Sequence, residues 1–143
     1  MIFNQLFDEK SSTYTYIISS GKGREALIID PVIEHTQQYI KILKELNLKL
    51  VKVIDTLIHA DHVSGLNELN KKTNCTRIMG EGSESEVIDI KVKDNEKIKI
   101  DSIESILIFS LSFTLISITS DSDPSPIILV QFVLLLSSFS PET

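Results

Sequence analysis

The chain has 143 residues and a formal net charge of −6, and 42% of its residues are hydrophobic. That length suits one domain or a piece of a larger one, and the composition can build a core. The negative charge argues against nucleic-acid binding, which needs clustered Lys and Arg. Because Cys75 is the single cysteine, no intrachain disulfide can form and a reducing compartment is expected. The N-terminus shows no secretory-signal pattern, which leaves the cytosol or an organelle matrix as the expected location.

The first predicted elements are two strands joined by a turn. Residues 13–19 (TYTYIIS) mix β-branched and aromatic residues with polar ones, a pattern typical of a strand. The turn SGKGR (20–24) follows, and its glycines supply the backbone freedom that a hairpin needs. The second strand, EALIID (25–30), has a continuous apolar centre, which predicts burial on both faces. Pro31 ends it, because proline cannot donate to a sheet.

Helical and strand patterns then alternate. Residues 34–47 have apolar residues at helical spacing and predict an amphipathic helix. Residues 49–56 return to a strand pattern, and 62–73 predict a second helix. Shorter strands are predicted at 76–80 and 96–100. This order predicts a layered α/β arrangement, in which helices pack against a sheet.

The composition of the chain changes near residue 102. All 14 Lys and Arg residues, all five glycines and all three histidines lie at or before Lys99. The remainder is rich in Ser, Leu, Ile and Phe, whereas the surface of a folded domain needs mixed charge and its turns need Gly or Asn. We therefore predict two regions, 1–103 and 104–143.

The second region contains two apolar runs, 105–118 and 127–136, which allow three interpretations. They could form two core strands. Membrane association is disfavoured, because both runs are shorter than the roughly 18–20 residues of a transmembrane helix. Their low charge and high β-propensity also mark them as aggregation-prone. The hypothesis that we adopt is that 104–143 was not selected to fold here, as a frameshift or a truncated gene fragment would produce.

The segment TLIHADH (56–62) is the main candidate for chemistry. It places His59, Asp61 and His62 at the carboxyl end of a predicted strand, where ligands of open α/β sheets collect. Two imidazoles and a carboxylate suit zinc, iron or manganese, depending on geometry. The alternative is that both histidines lie at a helix start by chance and Asp61 serves as its N-cap. We predict that His35 is an ordinary exposed residue and that Cys75 is a passive small residue.

TLIHADH resembles the His-x-His-x-Asp-His signature of the metallo-β-lactamase superfamily, with Leu57 at the position of the first histidine. Four further segments narrow the resemblance to the persulfide dioxygenases, a branch near glyoxalase II. These segments are LFDEKSSTYTYII, REALIIDPVIE, LKELNLKLVKVIDT and HADHVSGLNEL. The resemblance runs from Met1 to about Ile103.

The resemblance implies an α/β fold, a four-layer αββα sandwich of which this chain is the N-terminal and incomplete part. It implies a mononuclear iron and a reaction that converts glutathione persulfide and dioxygen to sulfite and glutathione, in mitochondria or bacterial cytoplasm. The iron is held by the first signature histidine, a histidine of a Pro-Gly-His turn and an aspartate of a Gly-Asp step. Leu57 replaces the first, and the chain has no histidine after His62 and no glycine after Gly82. His59, Asp61 and His62 do carry over, and these positions hold zinc in glyoxalase-II-like relatives.

We therefore predict a persulfide-dioxygenase-like protein that is catalytically inactive, with iron, zinc or no metal bound. If a metal is bound, Asp61 is the candidate for orienting a metal-bound water. One alternative is a non-catalytic interaction domain that binds a partner, dimerises or aggregates through an exposed sheet. The other is a zinc-dependent hydroxyacylglutathione hydrolase. Glutathione persulfide or a glutathione thioester is the substrate that the resemblance implies, and no nucleic-acid or membrane partner is expected.

Overall fold

The computed structural model describes residues 1–56, 64–83, 85–109, 113–121 and 123–132. Within these ranges the chain forms ten strands, two α-helices and a short 3-10 helix, Ile33–His35. The strands are β1 (Ile2–Asp8), β2 (Thr13–Ser19), β3 (Glu25–Ile29), β4 (Lys49–Asp55), β5 (Thr76–Gly80), β6 (Ile90–Val92), β7 (Lys97–Ile100), β8 (Ile103–Phe109), β9 (Phe113–Ser120) and β10 (Asp123–Phe132). The α-helices are α1 (Thr36–Glu45) and α2 (Leu66–Thr73).

The first sheet has six strands in sequence order, from β1 at one edge to β6 at the other. The pairs β1–β2 and β2–β3 are antiparallel, whereas β3, β4, β5 and β6 pair in parallel. The C-terminal ends of β1, β3 and β4 therefore lie side by side at one end of the strands, next to the start of β2. We call this the carboxyl edge, and Asp8, Thr13, Asp30 and Thr56 mark its position.

Both α-helices pack on one face of this sheet, because each presents an apolar stripe. Tyr39 and Leu43 of α1 and Leu66 and Leu69 of α2 are buried in one cluster with side chains of β2, β3 and β4. Burying a side chain of this size contributes about 1.5–3 kcal/mol. Helix α2 ends where Asn74 adopts the left-handed conformation, with φ of 59°, a common helix stop.

The second sheet covers the opposite face of the first. Its four strands are antiparallel and run in the order β10-β9-β8-β7. The core between the sheets includes Ile18 of β2, Leu27 and Ile29 of β3 and Ile54 of β4. These side chains are clustered with four isoleucines of the second half of the chain, Ile98, Ile100, Ile103 and Ile118. The described residues thus form three layers in the order α, β, β.

Most elements predicted for residues 13–100 are confirmed, including the buried strand β3 and helix α1. Strands β1 and β6 were not predicted. Helix α2 begins at Leu66 and not at His62, and residues 57–63 lie outside the described ranges. The predicted layered α/β class is confirmed, with a mixed first sheet and few helices.

Residues 103–132 contribute three strands to the second sheet. The apolar run 105–118 falls on β8 and β9, which pair antiparallel, and the next run begins within β10. Of the alternatives for this region, the strand interpretation is the one that the structure adopts, and Ile103 and Ile118 are fully buried. The division into two regions of different origin stays a prediction. No helix in the described part of the chain is both long and apolar enough to cross a bilayer.

Candidate functional site

The predicted metal residues lie in a segment of which the structure describes only the two ends. Leu57, His59, Asp61 and His62 all fall within 57–63, outside the described residues. Thr56, directly after β4, and Ser64, just before α2, bound the segment. The framework that holds these two ends lies at the carboxyl edge of the first sheet.

Asp30 holds the first end. Its backbone lies in the left-handed region with φ of 52°, which Asp tolerates better than most residues. Its carboxylate accepts hydrogen bonds from the Thr56 backbone N–H to Oδ1, at 2.7 Å, and from the Thr56 hydroxyl to Oδ2, at 2.6 Å. Asp30 is 1% exposed and Thr56 is 5% exposed. Bonds this short to a buried carboxylate are charge-assisted, so they fix Thr56 firmly.

The two residues after Asp30 hold the second end. Gly65 N–H donates to the Pro31 carbonyl at 2.9 Å, and Ser64 forms an isolated antiparallel bridge with Val32. A Cβ on Gly65 would lie 3.1 Å from the Pro31 Cβ, so glycine allows this close approach. We call residues 30–32 the connector, because both ends of the segment 57–63 are attached to it.

A second polar group lies at the same edge, on the helix side of the sheet. His35 Nε2 lies 2.9 Å from Asp8 Oδ1, and the Ser11 N–H and hydroxyl donate to Oδ2. The hydrogen bonds from Ser11, and then the one from His35, lower the pKa of Asp8 to about 2. The prediction that His35 is an ordinary exposed residue is wrong: it is partly buried and paired. The sequence could not show this, because its partner lies on the unpredicted strand β1.

A small cleft lies beside this pair, lined by Leu6, Phe7, Asp8, Thr15, His35, Gln38 and Tyr39. Its volume of about 40 Å³ is enough for a water molecule or a small ion. Pockets for drug-sized molecules measure about 300–1,000 Å³, so this cleft cannot enclose a molecule the size of glutathione. We therefore do not assign substrate binding to it.

Cys75 is buried at 1% exposure, and burial raises the pKa of its thiol. A protonated, inaccessible thiol is a poor nucleophile and a poor metal ligand, which supports the predicted passive role. In the described part of the chain, no three His, Cys, Asp or Glu residues lie together in a way that could hold a metal ion.

The iron centre that the sequence resemblance implies needs a histidine at residue 57, where this chain has leucine. A leucine side chain is a hydrocarbon without a lone pair, so Leu57 cannot replace a histidine ligand. His35, the one histidine within the described ranges, is engaged with Asp8 at 2.9 Å. The residues present therefore do not fit the implied iron triad. His59, Asp61 and His62 have the donor atoms that zinc takes, but their placement is not described.

Sequence reasoning missed the framework residues Asp30, Thr56 and Gly65. One signal could have found the first two. Asp30 and Thr56 are the last residues of two predicted strands, and the carboxyl ends of parallel neighbours meet at the same edge. Nothing local in the sequence signals the contact between Gly65 and Pro31, which depends on how α2 packs.

Comparison with known proteins adds three findings. The model of the metallo-beta-lactamase superfamily matches residues 9–126. Persulfide dioxygenase ETHE1, mitochondrial, of Homo sapiens is 31% identical over 100 residues, which cover 69% of this chain and 39% of that protein. Hydroxyacylglutathione hydrolase of Pelagibacter ubique (strain HTCC1062) is 33% identical over 85 residues, which cover 58% of this chain and 35% of the relative.

The crystal structure of ETHE1 from Myxococcus xanthus has a similar fold. It superimposes with a TM-score of 0.70 and 34% sequence identity, over 75% of this chain and 47% of that one. The matches cover less than half the length of these relatives, so the chain corresponds to part of the fold. The family-model match includes strands β8 and β9.

Proposed function

Because the chain belongs to the metallo-β-lactamase superfamily, we propose that it is a persulfide-dioxygenase-like member whose iron site is lost at Leu57. The chain then does not oxidise glutathione persulfide. The similarity to persulfide dioxygenases of cattle, mouse and human supports the branch. The single observation that carries the loss of activity is the leucine at the first position of the metal signature.

The size of the expected loss follows from what a first ligand does. Changes to groups that only support a ligand already cost about 10–100-fold in metal affinity or activity. Replacing the ligand itself by a hydrocarbon removes a bond to the metal, so the loss is larger.

The other three residues of the motif are expected to bind zinc. His59, Asp61 and His62 are the proposed zinc ligands, and the connector holds both ends of their segment. Zinc, where bound, supplies a Lewis acid and lowers the pKa of a bound water. Asp61 is the residue proposed to orient that water.

This retained part makes a second candidate function worth testing. The similarity to a hydroxyacylglutathione hydrolase favours zinc-dependent thioester hydrolysis. Such a reaction needs no iron, so Leu57 alone does not exclude it.

The test measures iron and zinc per chain in the purified protein, together with oxygen uptake on adding glutathione persulfide. We expect no stoichiometric iron and no uptake above a protein-free blank. Hydrolysis of a glutathione thioester is measured on the same sample loaded with zinc. Stoichiometric iron together with persulfide-dependent oxygen uptake would overturn the proposal.

Two histidine variants locate any bound zinc. His59→Ala should lower the zinc content, whereas His35→Ala, which removes a histidine outside the motif, should not. Equal zinc content in both variants and the unmodified chain would show that the motif is not the zinc site.

A further inference from the structure

The connector is held from behind by a chain of buried hydrogen bonds. The Val32 N–H donates to the Tyr39 hydroxyl at 3.1 Å, and the Tyr39 and Thr15 hydroxyl oxygens lie 3.2 Å apart. The Thr15 hydroxyl donates to the Asp30 carbonyl at 2.7 Å. All four residues are at most 2% exposed. Helix α1 and strand β2 thus contact the connector on both sides of Pro31.

The direction of each hydrogen bond follows from counting protons. The Thr15 hydroxyl has one proton, which goes to the Asp30 carbonyl, so Tyr39 must donate to Thr15. The Tyr39 oxygen in turn accepts the Val32 N–H. Burial raises the pKa of Tyr39, so the phenol keeps the proton that it donates. Each group has a defined role, and losing the Tyr39 hydroxyl leaves the buried Val32 N–H without this acceptor.

The connector transmits its position to both ends of the motif segment. The Asp30 carboxylate holds Thr56, and the Pro31 carbonyl holds Gly65. Thr56 and Gly65 are therefore both hydrogen-bonded to neighbouring residues of the connector. Proline restricts the backbone between these two attachment points.

We propose that Tyr39 is a positioning residue for Thr56 and Gly65, the described residues on either side of the motif segment, acting through Thr15 and the connector. The metal part of this inference rests on the proposed function, because it takes His59, Asp61 and His62 as zinc ligands. The positional part does not, because Thr56 and Gly65 report it directly. The simpler alternative is that Tyr39 only fills the core, where its ring packs in the cluster under the helices.

Tyr39→Phe separates these roles, because it keeps the ring and removes the hydroxyl. Tyr16→Phe is the matched control: Tyr16 is 4% exposed and belongs to the core between the two sheets. The first readout is amide hydrogen exchange at Thr56 and Gly65, with Val53 in the core of β4 as the internal reference. The second is zinc affinity, measured by competition with a chelator.

We expect Tyr39→Phe to speed exchange at Thr56 and Gly65 by about tenfold relative to Val53, since an unmet buried N–H favours local opening. Zinc affinity should fall about tenfold, as for other supporting groups. Tyr16→Phe should change both by less than twofold. Unchanged relative exchange in Tyr39→Phe would overturn the positioning role. If no variant binds zinc, the proposed ligands fail, and the exchange data still decide the positioning role.

Variants of Thr15 test the same chain of hydrogen bonds if Tyr39→Phe does not fold. Thr15→Val removes the central hydroxyl at nearly constant shape, and it should reproduce the faster exchange at Thr56 and Gly65. Thr15→Ser retains the hydroxyl and should restore near-normal exchange. A serine variant that behaves like the valine variant would show that packing, and not the hydrogen bond, sets the position.

Discussion

The connector and the motif segment that it holds differ in what they retain. The connector is hydrogen-bonded on both sides of the motif segment. The Asp30 carboxylate accepts from the N–H and the hydroxyl of Thr56, and the Pro31 carbonyl accepts from the Gly65 N–H. The motif has leucine at residue 57, where the signature that it resembles has histidine. On the proposed function, the hydrogen bonds on either side of the motif are therefore kept, whereas one ligand position is not.

The difference has a physical cause. The Asp30 carboxylate is buried, and a buried charge without partners costs several kcal/mol, so the fold itself requires these hydrogen bonds. A metal ligand carries no such requirement in a chain that folds without the metal. Mutations of the framework should therefore change stability, and on the proposed function a histidine at residue 57 should change metal binding.

Asp30→Ala should give the largest effect. It leaves the N–H and hydroxyl of Thr56 without the carboxylate, and each unmet buried group costs about 1–3 kcal/mol. We expect a loss of about 3 kcal/mol in the free energy of unfolding, measured by urea denaturation. Glu34→Ala, at an exposed neighbouring position, should stay within about 0.5 kcal/mol of the unmodified chain. A loss of stability in Asp30→Ala as small as that in Glu34→Ala would show that the fold does not require the hydrogen bonds of the Asp30 carboxylate.

Gly65→Ala should give the next largest loss in the free energy of unfolding. The added Cβ would lie 3.1 Å from the Pro31 Cβ, and crowding of this kind costs about 1–3 kcal/mol. Gly82→Ala is the control, because a Cβ there meets nothing within 4 Å. The measurement is again urea denaturation of both variants. Equal stability of the two would mean that the connector can move away from α2 at little cost.

Leu57→His tests the motif segment in place of the connector. Completing the signature should raise zinc affinity at least about tenfold, because it restores an imidazole donor. Urea denaturation with a chelator present measures the stability of the variant separately from its zinc binding. Ile58→His adds the same side chain one position along and should not raise zinc affinity. A similar gain in both variants would argue against a specific ligand position.

Sequence patterns predicted the fold best where the apolar residues form a regular pattern, either a continuous run or a repeat at helical spacing. Strand β3 was found because its apolar run is continuous, and α1 because its apolar residues repeat at helical spacing. The second sheet was not the preferred interpretation of residues 104–143, because an apolar run with little charge is equally typical of an aggregating segment. Its place became clear only from the core, in which Ile118 is buried in one cluster with side chains of β3 and β4.

The site was less predictable for a related reason. The motif is a short continuous stretch of residues, so it could be recognised from the sequence alone. Hydrogen bonds such as the one from Thr15 to Asp30 join residues that are far apart in the chain. Tyr39 was predicted only as part of an apolar helix face, and the role of its hydroxyl depends on tertiary contacts. The pair of Asp8 and His35 was missed in the same way, since the two lie 27 residues apart.

That pair gives the smallest expected effect, a change in acid stability. The pKa of Asp8 is about 2 in the folded chain, below its ordinary value of 3.8, so the folded state favours the ionised carboxyl. This contribution is fully present above about pH 4 and is lost as the pH falls through 2. Asp8→Asn should therefore flatten the loss of stability between pH 4 and pH 2 in urea midpoints. Ser11→Ala, which removes the hydroxyl donor of the hydrogen bond that lowers this pKa most, should flatten it partly. Identical acid profiles for Asp8→Asn and the unmodified chain would show that the pair at this end of the carboxyl edge, unlike the connector, contributes nothing to the fold.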